Sequence, residues 1–260
     1  HLSLRRQRQM CIRDRVLFNS VGGQEQFDEV FIELQRTDKE NPTTNEQAMA
    51  SLVISVKSSN QELVGRLFSA KIIELALANI PGFFAESGPK SSGPVIIYWP
   101  ALVDSKYITE KVHIDGKEIE VVPTSQLDYE EIYYQREPIS IDDVKISDQK
   151  EIYFGDQFGT RSGDKGGCAN LGVWAKNNLS YSFLYNFLTI EKLKELLPDL
   201  SKYEIERFEL PNIYSLNFYI HDILEDGVSS NNRKDGQAKS LGEYLRVKKI
   251  LVPDSILLET

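Results

Sequence analysis

Six segments in the last hundred or so residues switch hydrophobic period in a fixed order, and that order limits what they can build. Residues 169–176 read as a strand with Leu171, Val173 and Ala175 on one face. Residues 179–197 read as helix, broken near Thr189 and ended by Pro198. Residues 204–210 and 214–220 read as strands joined across Pro211-Asn212. A short helix over 239–245 and a strand over 247–252 follow. The order βαββαβ predicts a ferredoxin-like sandwich, a four-stranded antiparallel sheet with both helices on one face. Roughly a hundred residues is enough to bury an independent core.

Upstream the pattern is also mixed, so the whole chain reads as α+β. Residues 28–36 alternate through Val30, Ile32 and Leu34, and 48–57 through Ala50, Leu52, Ile54 and Val56, as two half-buried strands. Ser59 and Glu62 form the sequence pattern of a capping box. The helix they open carries Val64, Leu67, Phe68, Ile72, Leu75 and Ala76 on one face, and Pro81-Gly82 stops it. A short buried strand is expected at 95–99. Residues 111–122 read as a hairpin, because Asp115-Gly116 suits a type I′ turn between Val112, Ile114, Ile119 and Val121. Residues 123–150 carry seven acidic and three basic residues, two prolines and no period, and read as a linker.

Charge divides the chain. Residues 1–15 hold five Arg and one Asp, whereas the remainder holds 25 basic and 38 acidic residues. The first fifteen lack the apolar core of a targeting peptide. The string RQRQMCIRDR resembles translated sequencing-adaptor read-through, so 1–15 is expected to be a non-native segment and the native chain to begin upstream of Val16. The net charge of −9 over 260 residues argues against a nucleic-acid partner. No apolar run is long enough for a membrane helix. Two cysteines, Cys11 and Cys168, make neither a disulfide framework nor a four-ligand metal site, which points to a reducing, cytoplasmic setting.

Familiar catalytic signatures (HExxH, GxSxG, GxGxxG, CxxC) are absent, and no motif names a cofactor or a metal. His113 and His221 read as surface or satisfied strand residues, and Cys168 as a small buried filler. The informative stretch is GDQFGTRSGDKGGCANLG, residues 155–172, with six glycines in eighteen residues. It reads as a mobile loop whose N–H groups converge on an anion, with Arg161 and Lys165 adding charge. It is no phosphate-binding P-loop, since Gly166 stands where the Mg²⁺-binding hydroxyl belongs. The bland alternative is a structural turn in which Asp164 pairs with Arg161 or Lys165. Residues 229–239, SSNNRKDGQAK, form a second polar stretch, with Arg233, Asp235 and Lys239 ahead of a short helix. Phe83, Phe84, Tyr98 and Trp99 lie near turns, as pocket-lining or core aromatics.

Several blocks taken together resemble a known family. PGFFAESG, YWPALV, RSGDKGGCANLGVWA, RFELPNIYSLNF, then GVSS followed by QAK and LGEYLR, are similar in order to the acyclic terpene utilisation family of the AtuA type. The resemblance implies a large N-terminal domain, of which 16–122 would be the C-terminal part, and a ferredoxin-like domain over 151–260. It also implies a role in catabolism of acyclic terpenes such as citronellol and geraniol, whose acids are handled as CoA thioesters. Its motif positions here are Arg161, Ser162, Gly163, Asp164, Lys165, Gly166, Asn170 and Gly172, with Gly167 added by the loop reading. Two readings remain. In one, the loop holds an anionic small molecule such as an acyl-CoA, and Asp164 orients Lys165 or acts as acid or base. In the other, the domain is an assembly module that docks on the missing N-terminal region or on another subunit of a homo-oligomer.

Overall fold

The computed structural model describes residues 16–76, 84–85, 87–121 and 148–257. The segment 1–15, the helix stop at Pro81-Gly82 and the predicted linker as far as Ser147 lie outside those residues. Two compact units divide between Val95 and Ile96.

In the first unit β1 (Glu29–Gln35) pairs antiparallel with β2 (Ser51–Lys57), from Glu29 opposite Lys57 to Gln35 opposite Ser51. Phe18, Phe27 and Phe68 pack their rings 5.5–6.0 Å apart in its core. Helix α1 (Phe68–Ala76) follows a wide π turn, Leu63–Leu67, in which Gly65 leaves helical geometry. The Ser59–Glu62 capping box does not form. The Ser59 N–H donates instead to the Asp28 carboxylate at 2.6 Å, and the Asn60 side chain accepts from the Glu62 N–H at 3.1 Å. The strand register causes this, because Glu29 opposite Lys57 brings Asp28 beside the residues that leave β2.

In the second unit the expected strand at 95–99 is absent. Ile96–Trp99 is irregular and exposed, bracketed by Pro94 and Pro100, which offer no ladder donor. The hairpin β3 (Glu110–Ile114) and β4 (Lys117–Val121) forms as expected. Asp115 and Gly116 both take positive φ, 49° and 74°, as a type I′ turn requires.

The C-terminal region opens with β5 (Gln149–Tyr153), the short helix α2 (Phe154–Gln157) and β6 (Gly159–Lys165). Then come β7 (Cys168–Trp174), α3 (Asn178–Phe187) and α4 (Ile190–Leu196). The last elements are β8 (Ile205–Leu210), β9 (Ser215–Ile220), α5 (Leu241–Arg246) and β10 (Lys249–Pro253). The break near Thr189 is real: its hydroxyl accepts from the Lys192 N–H at 3.1 Å and starts α4 afresh. The sheet is four-stranded and antiparallel in the order β6-β7-β9-β8.

The α+β class expected from the sequence holds, but the strands differ in two places. The glycine-rich stretch is an edge strand and a tight turn, not a loop. The last strand, β10, leaves this sheet and pairs with β5, from Lys249 opposite Tyr153 to Pro253 opposite Gln149. The cause is local. Two residues, Gly166-Gly167, return the chain from β6 to β7, so β6 takes the edge beside β7 that the βαββαβ order gives to β10.

One face of the sheet is dry. Ala169, Leu171, Val173, Leu216, Phe218 and Ile220 are buried there against Leu184, Leu193, Leu241 and Leu245 of the helices. Each such Leu or Phe contributes about 1.5–3 kcal/mol relative to exposure. The other face carries the alternate residues of every strand and, Ser215 apart, is half-buried to exposed, hence open, among the described residues.

Candidate functional site

Register decides which predicted residues meet. Residues directly opposite in an antiparallel pair share a face. Arg161 lies opposite Gly172, Gly163 opposite Asn170 and Lys165 opposite Cys168, all on the open face. Ser162 lies opposite buried Leu171 and Asp164 opposite buried Ala169, so both turn toward the helices. The seven-residue strand therefore splits the predicted set in two.

The inward set is structural. The Ser162 hydroxyl donates to the Lys239 carbonyl at 3.1 Å and accepts from the Gly242 N–H at 3.0 Å. It thereby ties β6 to the start of α5 and brings the two predicted polar stretches together. In the second stretch the Asp235 carboxylate accepts from the Lys239 N–H, the Ser240 N–H and the Ser240 hydroxyl at 2.6–2.9 Å. Arg233 donates to the Tyr203 hydroxyl at 3.4 Å and stands 4.0 Å from Asp199. Two of the three secondary candidates thus hold the loop in place, and Lys239 alone is exposed with no side-chain partner among the described residues.

The glycines do steric work. Gly166 has φ +66° at the first turn position, the one place where a type II′ turn needs a positive φ. A Cβ on Gly167 would collide with the Glu225 carbonyl oxygen, and the Leu224 N–H donates to the Gly167 carbonyl at 2.8 Å. The turn is thus pressed onto residues 222–227. Gly159 is covered by the Trp174 ring. Gly163 is different: a Cβ there would meet nothing within 4 Å, so its bare backbone leaves an open patch between Arg161 and Lys165.

Neither cation at this patch has a carboxylate partner among the described residues. Lys165 Nζ reaches the carbonyl oxygen of Asp164 at 2.8 Å, not its carboxylate. Arg161 is exposed, and its guanidinium makes no hydrogen bond among the described residues. The expected pairing of Asp164 with either side chain is therefore not what forms. Asn170 completes the patch and donates from Nδ2 to Asn217 Oδ1 at 3.2 Å.

Sequence reasoning missed the β9 side of this face. Asn217, Tyr219 and His221 lie one register step away, and only the pairing of Ala169 with Ile220 places them there. Cys168 is half-buried on the open face and is no core filler. His221 Nε2 lies 2.6 Å from the Glu206 carboxylate, and its ring meets Tyr219 edge-to-face at 4.9 Å. The hydrogen bond with Cys168, then burial, then the charges of Cys168, Glu206 and Asp222, push the Tyr219 phenol up to about 12. An acid whose pKa rises on folding lends stability below its unfolded value, near 10, and loses it as pH climbs through the folded one. Ultraviolet difference titration against Tyr219→Phe is expected to show that phenol ionising with a midpoint near 12. Cys168→Ala should return the midpoint toward about 10. An unmoved midpoint in Cys168→Ala would break the assignment.

No group of three or more metal-ligating side chains occurs among the described residues, and no described helix is long and apolar enough to cross a membrane. A family model for the acyclic terpene utilisation protein AtuA matches residues 5–114, and one for the AtuA ferredoxin-like domain matches 158–251. The chain belongs to the acyclic terpene utilisation family. No curated protein and no solved structure matches it. The ferredoxin-like match runs from the residue before β6 into β10, so the four-stranded sheet with its open face lies inside the family's own domain.

Proposed function

We propose that this family member serves the breakdown of acyclic terpenes or related branched acyl-CoA compounds, and that the Gly163 patch holds an anionic group of such a compound. One observation carries the reading. Two cations without carboxylate partners flank bare backbone on one face of an edge strand, in a chain with 39 acidic and 30 basic residues. Their Cα atoms stand four residues apart on the strand, about 13 Å at 3.2–3.4 Å per residue. That spacing suits an extended polyanion, such as the phosphate groups of coenzyme A, better than one carboxylate. Asp164 turns to the other face and takes no acid–base part.

Titrating the protein with coenzyme A, geranyl-CoA and citronellyl-CoA tests this. Arg161→Ala and Lys165→Ala should each weaken binding by about tenfold, the scale of one charge-assisted contact. Gly163→Ala fills the patch without touching a neighbour and should weaken binding with no loss of stability. Equal affinity in all four proteins would remove the patch from the site. The same outcome would favour the second reading, an assembly module, for which the exposed Trp174, Phe208 and Leu210 supply apolar surface.

A further inference from the structure

Gly166 and Gly227, at φ +66° and +113°, stand side by side: a Cβ on Gly227 would lie 3.7 Å from the Gly166 carbonyl oxygen. Tyr98 fills the space their missing side chains leave. Its ring carbons lie 3.1 Å from where a Gly166 Cβ would be, and its own Cβ lies 3.5 Å from where a Gly227 Cβ would be. The Tyr98 N–H donates to the Asp226 carbonyl at 3.4 Å. Around it Ile96–Val103 has no regular secondary structure, and Trp99 is 85% exposed. One ring, itself 63% exposed, and one long hydrogen bond thus hold an apolar segment against the domain.

We infer that Ile96–Trp99 is a strap that latches and unlatches at the end of the β6–β7 hairpin, with Tyr98 as the latch and the Gly166–Gly227 notch as its receptor. The notch takes a flat aromatic side chain presented on extended backbone. The Tyr98 hydroxyl makes no hydrogen bond among the described residues, so the ring alone is what the notch reads. A contact this small opens far more readily than the domain unfolds, which places the strap at the low-stability end of the molecule. Because Gly166 follows Lys165, the closed strap borders that end of the open face. The latch stands on ring packing and one backbone hydrogen bond, and is independent of whether an anion binds there.

Hydrogen exchange on the full chain tests it. Tyr98→Ala should speed exchange of the residue 98 amide, the one in the strap that donates to the domain, by roughly tenfold, the scale of a partly exposed aromatic contact, and Tyr98→Phe should leave it unchanged. The chain has two tryptophans, so Trp174→Phe leaves Trp99 as a reporter beside the latch. In that background Tyr98→Ala should lower its fluorescence anisotropy. Unchanged exchange and anisotropy in Tyr98→Ala, or equal losses in Tyr98→Phe, would overturn the inference.

Discussion

Gly167→Ala lowers the thermal midpoint of the protein by about 4–24 °C, while Gly163→Ala, four residues earlier on the same hairpin, leaves it almost unmoved. The difference lies in what the new methyl group meets. At Gly167 it meets the Glu225 carbonyl oxygen, a backbone atom with no rotamer to adjust. That backbone is itself held, since the Leu224 N–H donates to Gly167 and the Gly227 N–H to Leu224, each at 2.8 Å. Overpacking of this kind costs about 1–3 kcal/mol, and each kcal/mol moves the midpoint of a domain near a hundred residues by about 4–8 °C. At Gly163 nothing stands within 4 Å. Melting curves by circular dichroism decide it, and similar shifts for the two variants would mean that the turn is not pinned.

Phe218→Ala has the larger effect. Phe218 is fully buried on β9, an inner strand, with Leu171 opposite it on β7 and Arg207 on β8. Truncation removes most of a ring and leaves a void that the two neighbouring strands cannot close without breaking register. Such changes cost about 3–5 kcal/mol against a total stability of about 5–15 kcal/mol. In urea the unfolding midpoint should fall by about a fifth or more of its value, by this scale, with an unchanged slope. A loss below about 1 kcal/mol would mean that the sheet does not pack on its helices through this residue.

Much of the fold was legible because period and punctuation agreed. β1 and β2 alternate, Asp115-Gly116 supplies two positive φ values, and Thr189 caps a new helix where the apolar period breaks. The edge strand β6 was not legible. Gly159, Arg161, Gly163 and Lys165 carry no apolar alternation, and their strand form comes from a two-residue turn and a partner, which composition does not encode. The partner of β10 was hidden for a related reason: a half-buried pattern says that a strand pairs, and not with which neighbour. The candidate site followed the same division. Arg161, Gly163, Lys165 and Asn170 do share a face, but Ser162 and Asp164 fall on the other one, because strand period is two and loop reasoning ignored it. Cys168 misled for the same reason, being in phase with Asn170 rather than with buried Ala169.

The ribbon of β5 and β10 has a consequence for modularity. Gln149 and Pro253 face each other in its ladder, so the polypeptide enters and departs the domain at one doorstep. A body whose ends are neighbours can be spliced into a surface turn of an unrelated protein without stretching either junction, or cut open elsewhere and rejoined there by a short bridge.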